Sequence, residues 1–175
     1  MKNEGNVIKI KGFDFWDDVV TEIGKFAILW NEFERKHTTF GKIKIRDIES
    51  ANLPHLSPED TRKIRDALKF QYEEYHAIER TPEEIKRFLK AFLYTEHGRF
   101  IEKDFTLIRK FYEDNGTEDE ITKGCLLTIH RYRDNLLHGI KTMHDDAPSM
   151  NTVAWGLNGQ LDIFIVLNSI LESIE

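Results

Sequence analysis

Ile129-His130-Arg131-Tyr132-Arg133-Asp134-Asn135-Leu136-Leu137-His138-Gly139 closes a long helical run by setting two arginines, an acid, an amide and a histidine between positions 131 and 138. An ordinary helix at the end of a bundle tapers into Lys and Glu, so this crowding marks the candidate working site. The run opens at Thr117, whose hydroxyl is placed to cap a helix while Glu120, three residues on, reaches back to the cap N–H. Asn115-Gly116 stops whatever precedes it, Ile121, Leu126, Ile129 and Leu136 recur at helical spacing, and Gly139 is the predicted terminator.

Working outward, the same period recurs along the chain. Phe15 to Glu34 carries Val19, Val20, Ile23, Phe26, Ala27, Trp30 and Phe33 three and four apart, which predicts a helix. Before it stands a short alternating piece, Val7-Ile8-Lys9-Ile10-Lys11. From His37 to Leu56 the pattern lapses into a long connection, with one helical turn expected at Asp47 to Ala51. Ser57-Pro58-Glu59-Asp60 supplies a capping serine, a proline at the first helical position and acids for the positive helix end, and Thr81-Pro82-Glu83-Glu84 repeats the signal. Ile64, Leu68, Tyr72 and Tyr75 mark the inner face after the first signal; Ile85, Phe88, Leu89, Phe92 and Leu93 mark it after the second. His97-Gly98 interrupts, Phe100 to Tyr112 resumes, 145–149 reads as a loop, and Thr152 to Ile174 reads as a final helix lying centrally, because Leu161 to Leu171 is apolar on most sides. With no repeat or shift of composition, the expectation is an all-α, single-domain bundle of about five or six helices spanning 1–175.

The composition excludes several classes. At 175 residues, 40% hydrophobic and 32% charged, the chain can bury a core without staples and is neither disordered nor collagenous. The single cysteine, Cys125, rules out an internal disulfide and lies in an apolar run, which fits a small buried residue in a reducing compartment. The start lacks the apolar core of a signal peptide, and nothing approaches the about 18 apolar residues of a membrane helix, so the expected setting is cytoplasmic, away from membranes. A net charge of −6 argues against broad, non-specific coating of nucleic acid, though a local basic groove between two copies is compatible with it.

At about 100° per residue, Arg131, Asp134, Asn135 and His138 fall on one stripe of the helix, opposite Ile129, Tyr132, Leu136 and Ile140. The simplest account is a solvated face with an Asp134–His138 pair at i,i+4. The alternative rests on Arg133, a polar residue after it, and His138 after four intervening positions, late in an all-α chain and followed by Gly139. This resembles the signature of the HEPN superfamily, an arginine separated by four to six residues from a histidine. The resemblance implies a small helical bundle that forms a homodimer and brings two motifs together across a cleft. Its implied activity is an endoribonuclease needing neither metal nor cofactor, which cleaves RNA by 2′-OH attack to leave a 2′,3′-cyclic phosphate. It also implies a toxin or defence role, with an antitoxin or nucleotidyltransferase-like protein as partner.

On this reading His138 exchanges protons, the motif arginine holds phosphate oxygens in a planar fork, and Asp134 orients the imidazole or the substrate. Arg131 also satisfies the spacing, with Tyr132 after it, and stays a phosphate-contact candidate. On the wheel it is Arg131 that aligns with His138, while Arg133 leans toward the apolar side. Asn135 is a further substrate contact. Ile140 stands where some toxin members of the family carry a tyrosine, a departure from that branch. Trp30 reads as core and Glu34 as a surface acid, but because the first long helix of such bundles packs near the motif helix, the resemblance also lets Asn31 or Glu34 reach the pocket as a substrate contact. The metal reading of His138 with His144-Asp145-Asp146 is set aside for want of ligand spacing. His76 and His97 read as capping or solvated residues at helix ends, and Lys86, Arg87, Lys90, Arg109 and Lys110 as solvated surface. The rival class is a non-catalytic module of the same fold that dimerises and binds a protein or a nucleotide; a third is an unrelated helical adaptor.

Overall fold

In the computed structural model, residues 6–10, 13–76, 102–141 and 160–174 are described, with the backbone alone at 10, 13, 14, 69–76 and 135–141. The alternating piece becomes β1 (Val7–Ile10), paired antiparallel with β2 (Phe13–Trp16) in the register Val7↔Trp16 and Ile8↔Phe15. Phe15 therefore belongs to a strand, and the helix expected from it starts two residues later. Its period-2 partner had to be known before the strand could be read.

α1 (Asp17–His37) begins with Asp17 and Asp18 and ends with Arg35, Lys36 and His37, charges that complement the helix dipole at both ends. It buries Val19, Phe26, Trp30 and Phe33. At its C-terminus the Thr38 N–H and hydroxyl both donate to the Glu34 carbonyl, at 3.1 and 2.8 Å. Left-handed backbone at Thr39, Phe40 and Gly41 then reverses the chain. In the connection, two 3-10 turns, Ile45–Asp47 and Ser50–Asn52, replace the one expected at 47–51. Ile45, Ile48 and Leu56 anchor it by burial.

α2 (Pro58–His76) starts where the proline signal placed it. Ser57 Oγ accepts the Asp60 N–H at 3.1 Å and donates to the Asp60 carboxylate at 2.6 Å, and Ile64 and Leu68 are fully buried. The repeat of that signal at Thr81, and His97-Gly98, lie outside the described residues. α3 (Glu102–Glu113) runs antiparallel to α4 (Glu118–Lys141), and the Thr117–Glu120 box closes as expected, with the Glu120 N–H on Thr117 Oγ1 at 3.3 Å and the Thr117 N–H on Glu120 Oε2 at 3.0 Å. α4 continues past Gly139 to Lys141, so that glycine is not a terminator. Helical hydrogen bonding tolerates an interior glycine at modest cost.

α5 (Leu161–Ser173) packs on α1 and α2. It buries Phe164, Leu167, Asn168, Ile170 and Leu171, while Ile165 is 47% exposed. Residues 152–159, expected to be its first turns, lie outside the described residues. The described residues thus form five α-helices and a two-stranded ribbon, an all-α bundle. Its centre is an aromatic cluster that joins α1, α4 and α5, with Phe26–Phe164 and Tyr132–Phe164 ring centroids both 5.7 Å apart. That cluster fixes α1 against α4 one turn from the motif.

Candidate functional site

α4 enters the bundle with all of 124–129 buried, and Tyr132 beyond them is buried as well. A helix enclosed in this way has no outward polar row along its middle. Arg131, which the wheel set on a solvated stripe, is accordingly only 4% exposed. Its guanidinium lies 3.9 Å from Asp104 Oδ2 of α3 and 3.9 Å from Asp134 Oδ2. Asp104 is itself held by Arg46 of the first 3-10 turn at 2.8 Å. A buried cation requires such neutralisation. The assignment of Arg131 to an exposed, phosphate-facing row is therefore corrected: α3 covers that side of α4.

Arg133, which the wheel turned toward the apolar side, keeps 28% of its side chain exposed. Nη1 donates to Asp134 Oδ1 at 2.8 Å, and Nη2 donates to Glu34 Oε2 at 3.2 Å. Glu34 of α1 does meet the motif helix, while Asn31, three residues earlier, is exposed. Trp30 is in the core at 1% exposure. Asp134 is the hub of the group, touching Arg133, Arg131 and His130 at once.

His130 is the member that sequence reasoning passed over. Its ring stacks on Trp30 with centroids 5.8 Å apart and planes 23° apart. Nε2 lies 3.4 Å from Asp134 Oδ2 and Nδ1 lies 3.9 Å from Glu34 Oε1. Burial, with help from Arg131 and Arg133, holds the imidazole below its ordinary pKa against the opposing pull of Asp134 and Glu34. The ring is thus neutral near pH 7. The i,i+4 spacing of His130 and Asp134 was the available signal. Asp104 was also legible in principle, since it shares a helical face with Ile108 and Phe111, both buried.

His138 and Asn135 lie on the described backbone of α4, and nothing further is described of their side chains. Residues 144–146 lie outside the described residues, as do Lys86, Arg87 and Lys90, and the His76 side chain is not described. Among the described residues no group of three or more His, Cys, Asp or Glu is placed to hold a metal ion. None of the described helices is long and apolar enough to cross a membrane. Cys125 is fully buried, and burial pushes its thiol far above the ordinary range, which makes it a packing residue and not a nucleophile. What the site offers chemically is a part-exposed guanidinium held by two carboxylates, an equally part-exposed neutral imidazole beside it, and a second histidine further along the same helix. In comparisons with known proteins, no family model, curated protein or solved structure matches this chain.

Proposed function

We propose that the chain is an endoribonuclease of the HEPN type, acting without a metal ion, in which Arg133 binds the scissile phosphate and His138 transfers protons. The observation that carries this reading is the contrast between the two arginines. Arg131 is sealed between α3 and α4, whereas Arg133, the one followed by an acid and separated from His138 by four residues, is part-exposed and held by Asp134 and Glu34. A planar guanidinium within reach of solvent can exchange those carboxylates for phosphate oxygens.

In the reaction the 2′-oxygen forms a bond to phosphorus as its proton passes to a base, and the P–O5′ bond breaks as an acid protonates the leaving oxygen. A cyclic phosphate and a 5′-hydroxyl remain. Arg133 stabilises the charge that develops on the non-bridging oxygens. His138 serves as acid or base, and a homodimer supplies the second copy. A toxin or defence setting with a neutralising protein partner and a cytoplasmic location belong to the same reading.

Arg133 also favours a second reading. Both of its described bonds go to carboxylates, as in a structural ion-pair network, and in a non-catalytic dimerising module that network would be its whole purpose. Cleavage of a mixed RNA pool in excess chelator separates the two. Wild-type protein is expected to cut and leave cyclic phosphate ends, with Arg133→Ala and His138→Ala each at least about a hundredfold slower. Absence of wild-type cleavage in any buffer, with a dimer in solution, would leave the binding module.

A further inference from the structure

We propose that His130 is a positioning residue for Arg133: protonation of its inner ring nitrogen draws Glu34 and Asp134 onto the imidazolium and releases the guanidinium toward a phosphodiester. The phosphodiester half of this rests on the reading of Arg133 above; the release itself does not.

Both carboxylates that hold Arg133 are shared with His130. Asp134 gives Oδ1 to Arg133 at 2.8 Å and turns Oδ2 to His130 Nε2 at 3.4 Å. Glu34 gives Oε2 to Arg133 at 3.2 Å and turns Oε1 to His130 Nδ1 at 3.9 Å. The two cations thus compete for one pair of anions. His130 Nδ1 is buried and has no hydrogen-bond partner among the described residues. With the single proton of a neutral ring on Nε2, facing Asp134, the Nδ1 lone pair is left opposite a carboxylate, which is repulsive. A proton added at Nδ1 turns that contact into an ion pair.

The Trp30 ring stacks on the imidazole, and its face also accepts a cation. The charged groups facing the ring are Glu34 from α1 and Asp134, Arg131 and Arg133 from α4. Asp104 of α3 and Arg46 of the connection act on Arg131. Burial keeps the resting ring neutral, with Arg131 and Arg133 adding to that effect. A phosphate that neutralises Arg133 removes one of those opposing charges. Phosphate on Arg133 and a proton on His130 then favour one another, and by linkage the coupling is equal in both directions.

Two measurements test this. In protein labelled with 15N at histidine and arginine, NMR follows His130 ring protonation together with rotation of the Arg133 guanidinium, with His130→Phe and Arg133→Gln for assignment. Rotation of Arg133 is expected to quicken as His130 protonates and to stay slow at every pH in His130→Phe. Should that variant not fold, Glu34→Gln serves: it removes one of the two shared anions, and the change in Arg133 rotation across the His130 titration is expected to shrink. A guanidinium indifferent to His130 titration, or a Glu34→Gln protein whose Arg133 responds to it as fully as wild type, overturns the proposal.

The second probe is a 2′-O-methyl oligoribonucleotide, which cannot be cleaved this way and whose phosphodiesters keep their charge over the range. Its affinity is expected to rise by up to about tenfold per pH unit as His130 takes its proton, and this rise is expected to vanish in His130→Phe. Release of Arg133 with no oligonucleotide binding at any pH leaves the positioning role standing and overturns the RNA reading. RNA cleavage with no release of Arg133 does the reverse.

Discussion

Arg131 and Arg133 are two positions apart in sequence and have opposite fates. The difference comes from what other segments bring to each: Asp104 and the flank of α3 to one, Glu34 and solvent to the other. His130 shows the same dependence, since its partial burial in the fold is the chief cause that holds its imidazole below the ordinary value. The unfolded chain restores it to about 6.5, the ordinary histidine value. Because the folded value is the lower of the two, the unfolded state binds the proton first on acidification. The stability contributed by the neutral ring is therefore intact above about pH 6.5 and declines as pH falls toward the folded value. Urea unfolding at a series of pH values is expected to show this loss, and His130→Phe is expected to remove that part of the slope. Cys125 offers a second check at this scale. With its thiol buried and pushed far up, reaction with a thiol reagent in native buffer should proceed only as fast as the protein opens, and at full rate in denaturant.

At the scale of elements, two helical glycines have opposite prospects. A Cβ on Gly124 would lie 2.1 Å from the Leu107 carbonyl oxygen and 2.8 Å from Phe111 Cβ, so α3 and α4 cross at a distance that only glycine allows. Gly124→Ala is expected to force the two helices apart and to cost about 3 kcal/mol or more, read as a lower midpoint in urea unfolding. Gly24 in α1 has nothing within 4 Å of such an atom, and Gly24→Ala should stabilise by about 0.5–1 kcal/mol through helix propensity. Helix starts were the most legible features, since the Ser57-Pro58 and Thr117–Glu120 signals act through neighbours in sequence and both closed as expected. The β1–β2 ribbon was less so. A lone four-residue alternation has no meaning until its partner strand is found, and the partner contains Phe15, where the helix was expected to begin.

For the whole molecule, the ion pairs from Arg46 through Asp104 and Arg131 to Asp134 tie the connection, α3 and α4 into one body beneath the accessible arginine. Asp104→Ala leaves Arg131 buried beside Arg46 without their shared anion. The loss is expected to approach about 3–5 kcal/mol, measured by thermal or urea unfolding, with any RNA cleavage falling as the site loosens. The endoribonuclease reading further expects sedimentation equilibrium to give twice the chain mass. The sequence by itself determined that this is an all-α bundle, where α2 and α4 begin, and that Trp30 belongs to the core; periodicity and capping are local and survive without coordinates. Only the tertiary structure decided which arginine is sealed and which is open, that Asp104 and Arg46 stand behind the site, and that His130 shares its anions with Arg133. Those facts depend on which face of α4 is covered by α3 and which by α1, and a helical wheel holds the angles of one helix but not the neighbours that enclose it.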